Sequence, residues 1–410
     1  MNIVGGTVRR KSGLEAEVVD EFASIGHWTA GRQEADWQRK QGVVIGIGDD
    51  AAVVEAPAGS TDSWQWVLAV DTMVETVHFN DGTMTESDIG YKALAANVSD
   101  IAAMGGIPRH ALVSVSVPPA WTPERMRRLY DGIYACAERY GVAIIGGDTT
   151  SSPQHLVVAV TVVGTVEAGR ALRRSGAKPG DAVFLTGPVG MSGAGLHALL
   201  AADCGGGAGV GAAAQPASAD AAAAAGHGFA VPACAADDAQ ASGASAPSRA
   251  EQAASGVPEA LVRAHRRPAP SVRAGRLLLS RGTCTSLNDV SDGLASEAWE
   301  IAQASSVRLV LRDRALPRSG ALVSYASQVQ GDALEWMLFG GEDYVLLGTI
   351  DAADAEAAKA EFAKEGLPFY LIGEVEAGDP EVMLVTAGNG GGSSSERRRP
   401  IPKRGFNHFA

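Results

Sequence analysis

One feature constrains this chain more than any other: short apolar runs of β-type residues that stop on an acidic residue. Val43-Val44-Ile45-Gly46-Ile47-Gly48 leads to Asp49-Asp50, and Trp66-Val67-Leu68-Ala69-Val70 leads to Asp71-Thr72. Val142-Ala143-Ile144-Ile145-Gly146-Gly147 leads to Asp148-Thr149-Thr150, and Ser286-Leu287-Asn288 leads to Asp289-Val290-Ser291-Asp292-Gly293. Val43–Ile47, Trp66–Val70 and Val142–Ile145, apolar and rich in β-branched residues, read as strands. Further strands are expected at Ala111–Val117 and Leu156–Val166. Between the runs lie helical patterns. One runs from an Asp88 N-cap to Met104 and is closed by Gly105-Gly106. Another runs from Pro123 in its first turn to Tyr140 and is closed by Gly141.

A second set of elements begins near Gly180, with strands at Ala182–Thr186, Tyr344–Ile350 and Phe369–Val375. Its helices are Gly293–Ala304, Ala353–Lys364 and a short one before Phe339. Strands alternating with helices predict an α/β class with mixed sheets, in two domains joined around residues 165–180. The expected boundaries are a flexible arm over 1–20, an N-terminal domain over 21–166 and a C-terminal domain over 167–410. Residues 201–250 carry 22 Ala and 8 Gly with almost no strongly apolar side chain. Such a stretch cannot bury enough surface to offset its ordering entropy, so 201–256 reads as a disordered or loosely helical insertion on a surface loop. Gly388–Arg399 reads as a second flexible loop.

Composition removes several function classes. A net charge of −13 argues against nucleic-acid binding through a broad basic face. Four Cys without paired spacing exclude a disulfide scaffold and a Cys-based zinc site. The N-terminal residues contain no apolar run, and Leu156–Val166 is too short and β-branched to span a membrane as a helix. A soluble, cytoplasmic protein is therefore expected, with no membrane and no nucleic-acid partner. The dipeptide Gly-Lys never occurs, which excludes a P-loop. Gly46-Ile47-Gly48-Asp49-Asp50-Ala51 formally matches a dinucleotide fingerprint, but two carboxylates there would repel a pyrophosphate.

Strand ends are where open α/β sheets place ligands. Asp100, one turn after Asn97 on the first long helix, extends the acidic set. Each motif alone also reads as turn chemistry, and Asp289 or Ser291 as a helix cap. Brought together, such carboxylates need metal or protons, and hard oxygen donors without Cys or His suit Mg²⁺. Arg170, Arg173, Arg174 and Lys178 lie within nine residues and could grip phosphate oxygens or simply line a solvated linker. The residues thus point to a Mg²⁺-dependent enzyme handling a polyphosphate, without specifying the acceptor.

Several motifs stand in order: Gly46-Ile-Gly-Asp-Asp50, Asp71-Thr72 with His78-Phe79, Tyr91 to Gly105, Gly146-Gly-Asp-Thr149, Gly169-Arg-Ala-Leu172, Ser175 to Asp181, Asp289-Val-Ser-Asp-Gly293 and Gly340-Gly-Glu-Asp-Tyr344. Together they resemble the thiamine-monophosphate kinase family, from about Glu21 to the closing Gly405-Phe-Asn-His-Phe409. The resemblance implies the two-domain fold of aminoimidazole ribonucleotide synthetase, with N-terminal domains pairing into a barrel across a homodimer. It implies direct in-line transfer from ATP to thiamine phosphate, the last step to thiamine diphosphate, with several Mg²⁺ ions. By position, Asp50, Asp71, Asp100, Asp148, Asp289 and Asp292 match metal ligands, with Asp49 adjacent. Asp100, Asp148 and Asp292 are the expected catalytic set. Gly147, Arg174, Ser291 and Tyr130 match nucleotide contacts, Tyr130 reading equally as a helix-face aromatic. His78, Glu342 and Phe406 match substrate contacts. Rival readings are another ATP-dependent enzyme of the superfamily, a Mg²⁺-dependent phosphohydrolase and a non-catalytic binder.

Overall fold

The computed structural model describes residues 34–56, 64–205, 247–387 and 396–406. The first sheet has six strands: β1 (Val43–Ile45), β2 (Ala52–Glu55), β3 (Trp64–Val74), β4 (Ile107–Val117), β5 (Ala143–Ser151) and β6 (Val157–Glu167). Their spatial order is β1-β2-β3-β6-β4-β5, antiparallel except for the β4–β5 pair. After α1 (Ala35–Lys40), two long helices, α2 (Glu86–Ala103) and α3 (Pro123–Tyr140), accompany this sheet.

The second sheet has seven strands: β7 (Ala182–Leu185), β8 (Cys284–Asp289), β9 (Arg308–Arg312), β10 (Leu346–Ile350), β11 (Tyr370–Glu376), β12 (Glu381–Ala387) and β13 (Glu396–Pro400). They run in the order β13-β12-β9-β11-β7-β10-β8, with only β12 and β9 parallel. Its helices are α4 (Met191–Gly205), α5 (Arg249–Ala254), α6 (Glu259–Arg266), α7 (Val272–Arg281), α8 (Leu294–Ser305), α9 (Gly320–Gln328), α10 (Ala333–Phe339) and α11 (Ala355–Lys364). Two mixed sheets with packed helices make this a mixed α/β protein. No described helix is long and apolar enough to cross a membrane.

Helix α2 explains how the halves meet. Its sequence carries small and apolar residues on all sides, and all but three of its residues are buried. One side packs on the first sheet's core with Leu94, Val98 and Ile101, while Ala103 joins Leu278, Phe184 and Phe362 of the second half. Helix α3 crosses it at glycines. A Cβ on Gly90 would sit 1.9 Å from the Leu129 carbonyl, and one on Gly132 would sit 1.8 Å from that of Ser87.

Several expected boundaries move for physical reasons. The N-cap of α2 is Thr85 rather than Asp88. The Thr85 hydroxyl accepts from the Asp88 N–H at 3.2 Å, and the Asp88 carboxylate reaches back to the Thr85 N–H at 3.3 Å, a capping box. Asp71 and Asp148 do not end their strands but lie inside β3 and β5, because Thr-Met-Val and Thr-Thr-Ser continue the extended backbone. Of the expected insertion, 206–246 lies outside the described residues. Its edges are helical: 201–205 complete α4, and α5 opens with a Ser248 capping box. Of the expected loop at Gly388–Arg399, residues 388–395 lie outside the described residues. Glu396–Pro400 instead form β13, paired antiparallel with β12. The arm over 1–20 and the closing Asn407-His-Phe409 also lie outside the described residues.

Among the described residues, the first sheet is covered on one face only. Inward residues such as Val67, Val113, Val158 and Val160 are fully or nearly fully buried. On the opposite face Val70 is 63% exposed, Ile145 59% and Leu112 40%.

Candidate functional site

Four aspartates from both halves of the chain are drawn together beside α2. Asp50 follows the loop after β1, Asp71 lies in β3, Asp100 lies near the end of α2, and Asp289 ends β8. Past Leu68, β2 no longer pairs with β3, and the Asp71 N–H donates instead to Asn97 Oδ1 at 2.9 Å. The Asp100 and Asp71 carboxyls are close enough to act on each other's charge. Ser99, adjacent on α2, donates to Asp289 Oδ2 at 2.5 Å.

Removing these groups from water disfavours their charged forms, and each also feels the others. Burial, then the Asp289 and Asp49 charges, push Asp50 up to about 8 against the pull of Arg174. Burial and Asp289 push Asp71 up to about 6. Burial and the neighbouring Asp71, Asp289 and Asp50 carry Asp100 well above the usual carboxylate range. Burial also raises Asp289, although the Ser99 bond opposes it.

Arg174 supplies the countercharge. Its Nε donates to Asp50 Oδ1 at 2.9 Å, its Nη2 pairs with the same carboxylate, and its Nη1 lies 3.6 Å from Glu300. The second oxygen of Asp50, Oδ2, is buried without a hydrogen-bond partner. Asp49 braces this loop: its Oδ1 accepts from the N–H groups of Asp50 at 3.1 Å and Arg174 at 3.3 Å. Glu297 on α8 organises the opposite loop, accepting from Asn288, from the Ser291 hydroxyl at 3.3 Å and from the Asp292 N–H at 3.1 Å.

A cleft opens onto this cluster. Asp71, Thr72, His78, Ala96 and Asp100 line it from the first half, and Ser291, Asp292, Glu342, Tyr344 and Phe406 from the second. His78 Nδ1 accepts from the Val74 N–H at 3.0 Å, which fixes the ring. Phe406 faces it with ring centroids 5.9 Å apart, and its N–H donates to the Asp292 carbonyl at 3.2 Å. Glu342 holds its cleft position with a left-handed φ of 63°, an unusual conformation for a residue with a side chain. The cleft thus joins an acidic, oxygen-rich end to an end walled by His78, Phe406 and Glu342.

Comparison with known proteins bears on what this cleft serves. Residues 48–166 match the family described as AIR synthase related protein, N-terminal domain, and residues 235–385 match its C-terminal domain. The chain is 39% identical to the thiamine-monophosphate kinase of Bacillus subtilis over 90% of its own length and 94% of the relative's. With the Escherichia coli K12 enzyme of that name it shares 30% identity over 90% and 93%. The chain belongs to the thiamine-monophosphate kinase family. Among solved structures it is similar to AaThiL complexed with AMPPCP and TMP, with a TM-score of 0.68, 26% identity and coverage of 97% of this chain and 100% of that one. It is also similar to thiamine-monophosphate kinase from Stenotrophomonas maltophilia, with a TM-score of 0.61, 30% identity and coverage of 85% and 93%.

For a thiamine-monophosphate kinase the expected residues divide in two. Asp71, Asp100, Ser291, Asp292, His78, Glu342 and Phe406 line one cleft, with Asp50, Asp289, Asp49 and Arg174 close behind. Three others do not join them. Asp148 is exposed on the edge strand β5. Register places Asp71 opposite Val160, Val160 opposite Val113, and Val113 opposite Gly147. Asp148 is therefore about three strand spacings, or ~14 Å, from Asp71. Gly147 lies on the same edge, where a Cβ would meet the Val113 carbonyl at 1.8 Å, so tight strand packing alone requires glycine. Tyr130 packs against the first core, as a helix-face aromatic does.

Among the described residues no three His, Cys, Asp or Glu side chains are arranged to hold one metal ion. The donor chemistry nevertheless fits a hard cation: buried carboxylates that repel one another, one with an unsatisfied oxygen. Sequence reading missed Ser99, Lys92 and Glu297, which support the site from beneath. A lone Lys within the apolar run Ile89–Val98 was the one available signal.

Proposed function

We propose that this protein transfers the γ-phosphoryl group of ATP to thiamine phosphate, forming thiamine diphosphate by direct in-line displacement with Mg²⁺. The observation that carries this reading is the cleft itself, in which carboxylates from both halves face the His78–Phe406–Glu342 wall. A thiazolium cation suits an aromatic face and a carboxylate. The phosphate of thiamine phosphate is already ionised at neutral pH, so its oxygen needs no strong general base to attack. The obstacle is repulsion between two anionic phosphates, which positioning and countercharge relieve.

Asp50, Asp71, Asp100 and Asp289, with Asp292 at the cleft wall, would hold Mg²⁺. The ion would supply neutralisation of the phosphate charge. Arg174, which spans Asp50 and Glu300, lies where it can turn its guanidinium to a nucleotide phosphate. Ser291 and Asp292 are fixed by Glu297 and by the Phe406 N–H, so the loop carrying them is preorganised.

A homodimer in the cytoplasm completes the reading. The exposed apolar face with Val70, Leu112 and Ile145, together with edge strand β5, supports pairing of two first sheets. Such pairing is also how Asp148 and Gly147 would serve the reaction. The deciding experiment incubates the protein with MgATP and thiamine phosphate and follows thiamine diphosphate. Free thiamine serves as the control for pyrophosphate transfer. Release of inorganic phosphate without thiamine diphosphate would instead indicate a phosphohydrolase.

A further inference from the structure

One buried charge has no part in the reading above. Lys92, midway along α2, has none of its surface exposed. Its ammonium lies 2.5 Å from Glu342 Oε2 and 3.5 Å from His265 Nδ1. Ser192 Oγ is 3.2 Å from the same ring nitrogen. The four residues come from α2, α4, α6 and the loop before β10, so both halves of the chain meet at this point.

A buried ammonium is costly unless it is paired and hydrogen-bonded. Burial draws Lys92 below its usual range, and Glu342 heads the charges that oppose this. His265 is held well below its usual range by burial and by Lys92, so it is a neutral partner here. Nearby Asp343 is engaged elsewhere, accepting from the N–H groups of Gly190 and Ser192 at the start of α4. Glu342 is therefore the direct carboxylate partner of Lys92, and its side chain, 26% exposed, lines the cleft.

The Glu342 backbone is constrained to match. Its φ is 63°, and its N–H donates to the Ser291 carbonyl at 2.6 Å. Left-handed conformations of non-glycine residues cost about 1–3 kcal/mol and persist where surrounding contacts over-determine them. The Lys92 ion pair is such a contact.

We infer that Lys92 is a positioning residue for substrate recognition: from beneath the cleft it fixes the Glu342 carboxylate where the cationic ring of thiamine phosphate docks. This rests on reading the cleft as the thiamine phosphate site. Lys92 acts only through Glu342 and does not touch the transferred phosphoryl group.

The test compares the full-length wild type with Lys92→Met, Glu342→Gln and the double variant. KM for each substrate is measured, together with the calorimetric Kd of thiamine phosphate. Lys92→Met is expected to raise KM and Kd for thiamine phosphate at least tenfold and to leave KM for ATP within twofold. In the Glu342→Gln background the same substitution should change either constant less than twofold. A residue with a merely structural role would lower the folded fraction and kcat without this split between substrates.

An unchanged KM for thiamine phosphate in Lys92→Met overturns the inference. So does an equal rise in both backgrounds. Should Lys92→Met fail to fold, the double variant, which buries neither charge, still carries the comparison with Glu342→Gln. A fivefold or greater further rise there overturns the inference. A wild type that neither binds nor turns over thiamine phosphate overturns the substrate reading and this inference together.

Discussion

Ser99 on α2 donates a 2.5 Å hydrogen bond to Asp289 at the end of β8, linking two residues 190 positions apart in the chain. Ser99 is fully buried and Asp289 nearly so. The bond is one of the contacts through which the first half of the chain orients a carboxylate supplied by the second. Hydrogen bonds to charged groups contribute about 1.5–3 kcal/mol, and a buried carboxylate left short of donors is penalised further. Ser99→Ala should lower unfolding free energy by about that amount, measured by urea denaturation of the metal-free protein. A loss below about 0.5 kcal/mol would mean that Asp289 is satisfied by other groups.

Stability of the metal-free protein should depend on pH with a definite sign. Asp50 and Asp71 are raised to about 8 and about 6 from an ordinary value of 3.8. Across that interval the folded chain binds more protons than the unfolded chain, so stability falls as pH rises. Glu167 has the opposite sign, lowered to about 2 by its hydrogen bonds to Arg276. Its stabilisation is complete above the ordinary 4.5 and is lost as pH falls toward 2. The two raised carboxylates outweigh Glu167 above about pH 4, so Tm should fall from about pH 4 to about pH 8.5. Added Mg²⁺ should raise Tm more at the alkaline end, where the carboxylates are ionised. A Tm that climbs steadily from pH 5 to pH 8.5 without metal would contradict this account.

The crossing of α2 and α3 leaves no room for a methyl group. A Cβ on Gly90 would overlap the Leu129 carbonyl oxygen, which is backbone and cannot rotate away. Gly90→Ala should force the helices apart and cost at least about 1–3 kcal/mol, despite alanine's better helix propensity. The check is chemical denaturation against Gly320→Ala, where a Cβ meets nothing within 4 Å. Equal stability of the two variants would refute the packing argument.

Phe406 faces His78 across the mouth of the cleft. If thiazolium binds there, an aromatic face contributes about 0.5–2 kcal/mol of cation–π attraction. Phe406→Ala should raise KM for thiamine phosphate by about twofold to thirtyfold and leave KM for ATP nearly unchanged. Phe406→Trp should recover the affinity, since the indole face is the stronger partner. Equal effects on both substrates would place Phe406 outside the thiamine phosphate end of the cleft.

Much of this protein is written locally. The β-branched runs, the Thr122-Pro123 start and Gly141 stop of α3, and the acidic residues beside them specify elements through short-range sterics and hydrogen bonding. Motif order identifies the family. Sequence also located Asp71, Asp100, Asp292, His78, Glu342 and Phe406, which share one cleft.

Two decisions were beyond its reach. Whether a strand ends at an aspartate depends on a neighbouring strand continuing to pair with it, which is why Asp71 and Asp148 fall inside β3 and β5. Which carboxylates meet, and what lies beneath them, depends on long-range packing. Ser99, Lys92 and Glu297 matter because α2 and α8 are buried against the site, and residue type alone does not encode that burial. Asp148 looks no different from Asp100 as a residue in a motif. The sheet places one on an exposed edge and buries the other among like charges, so tertiary structure alone gives them different surroundings.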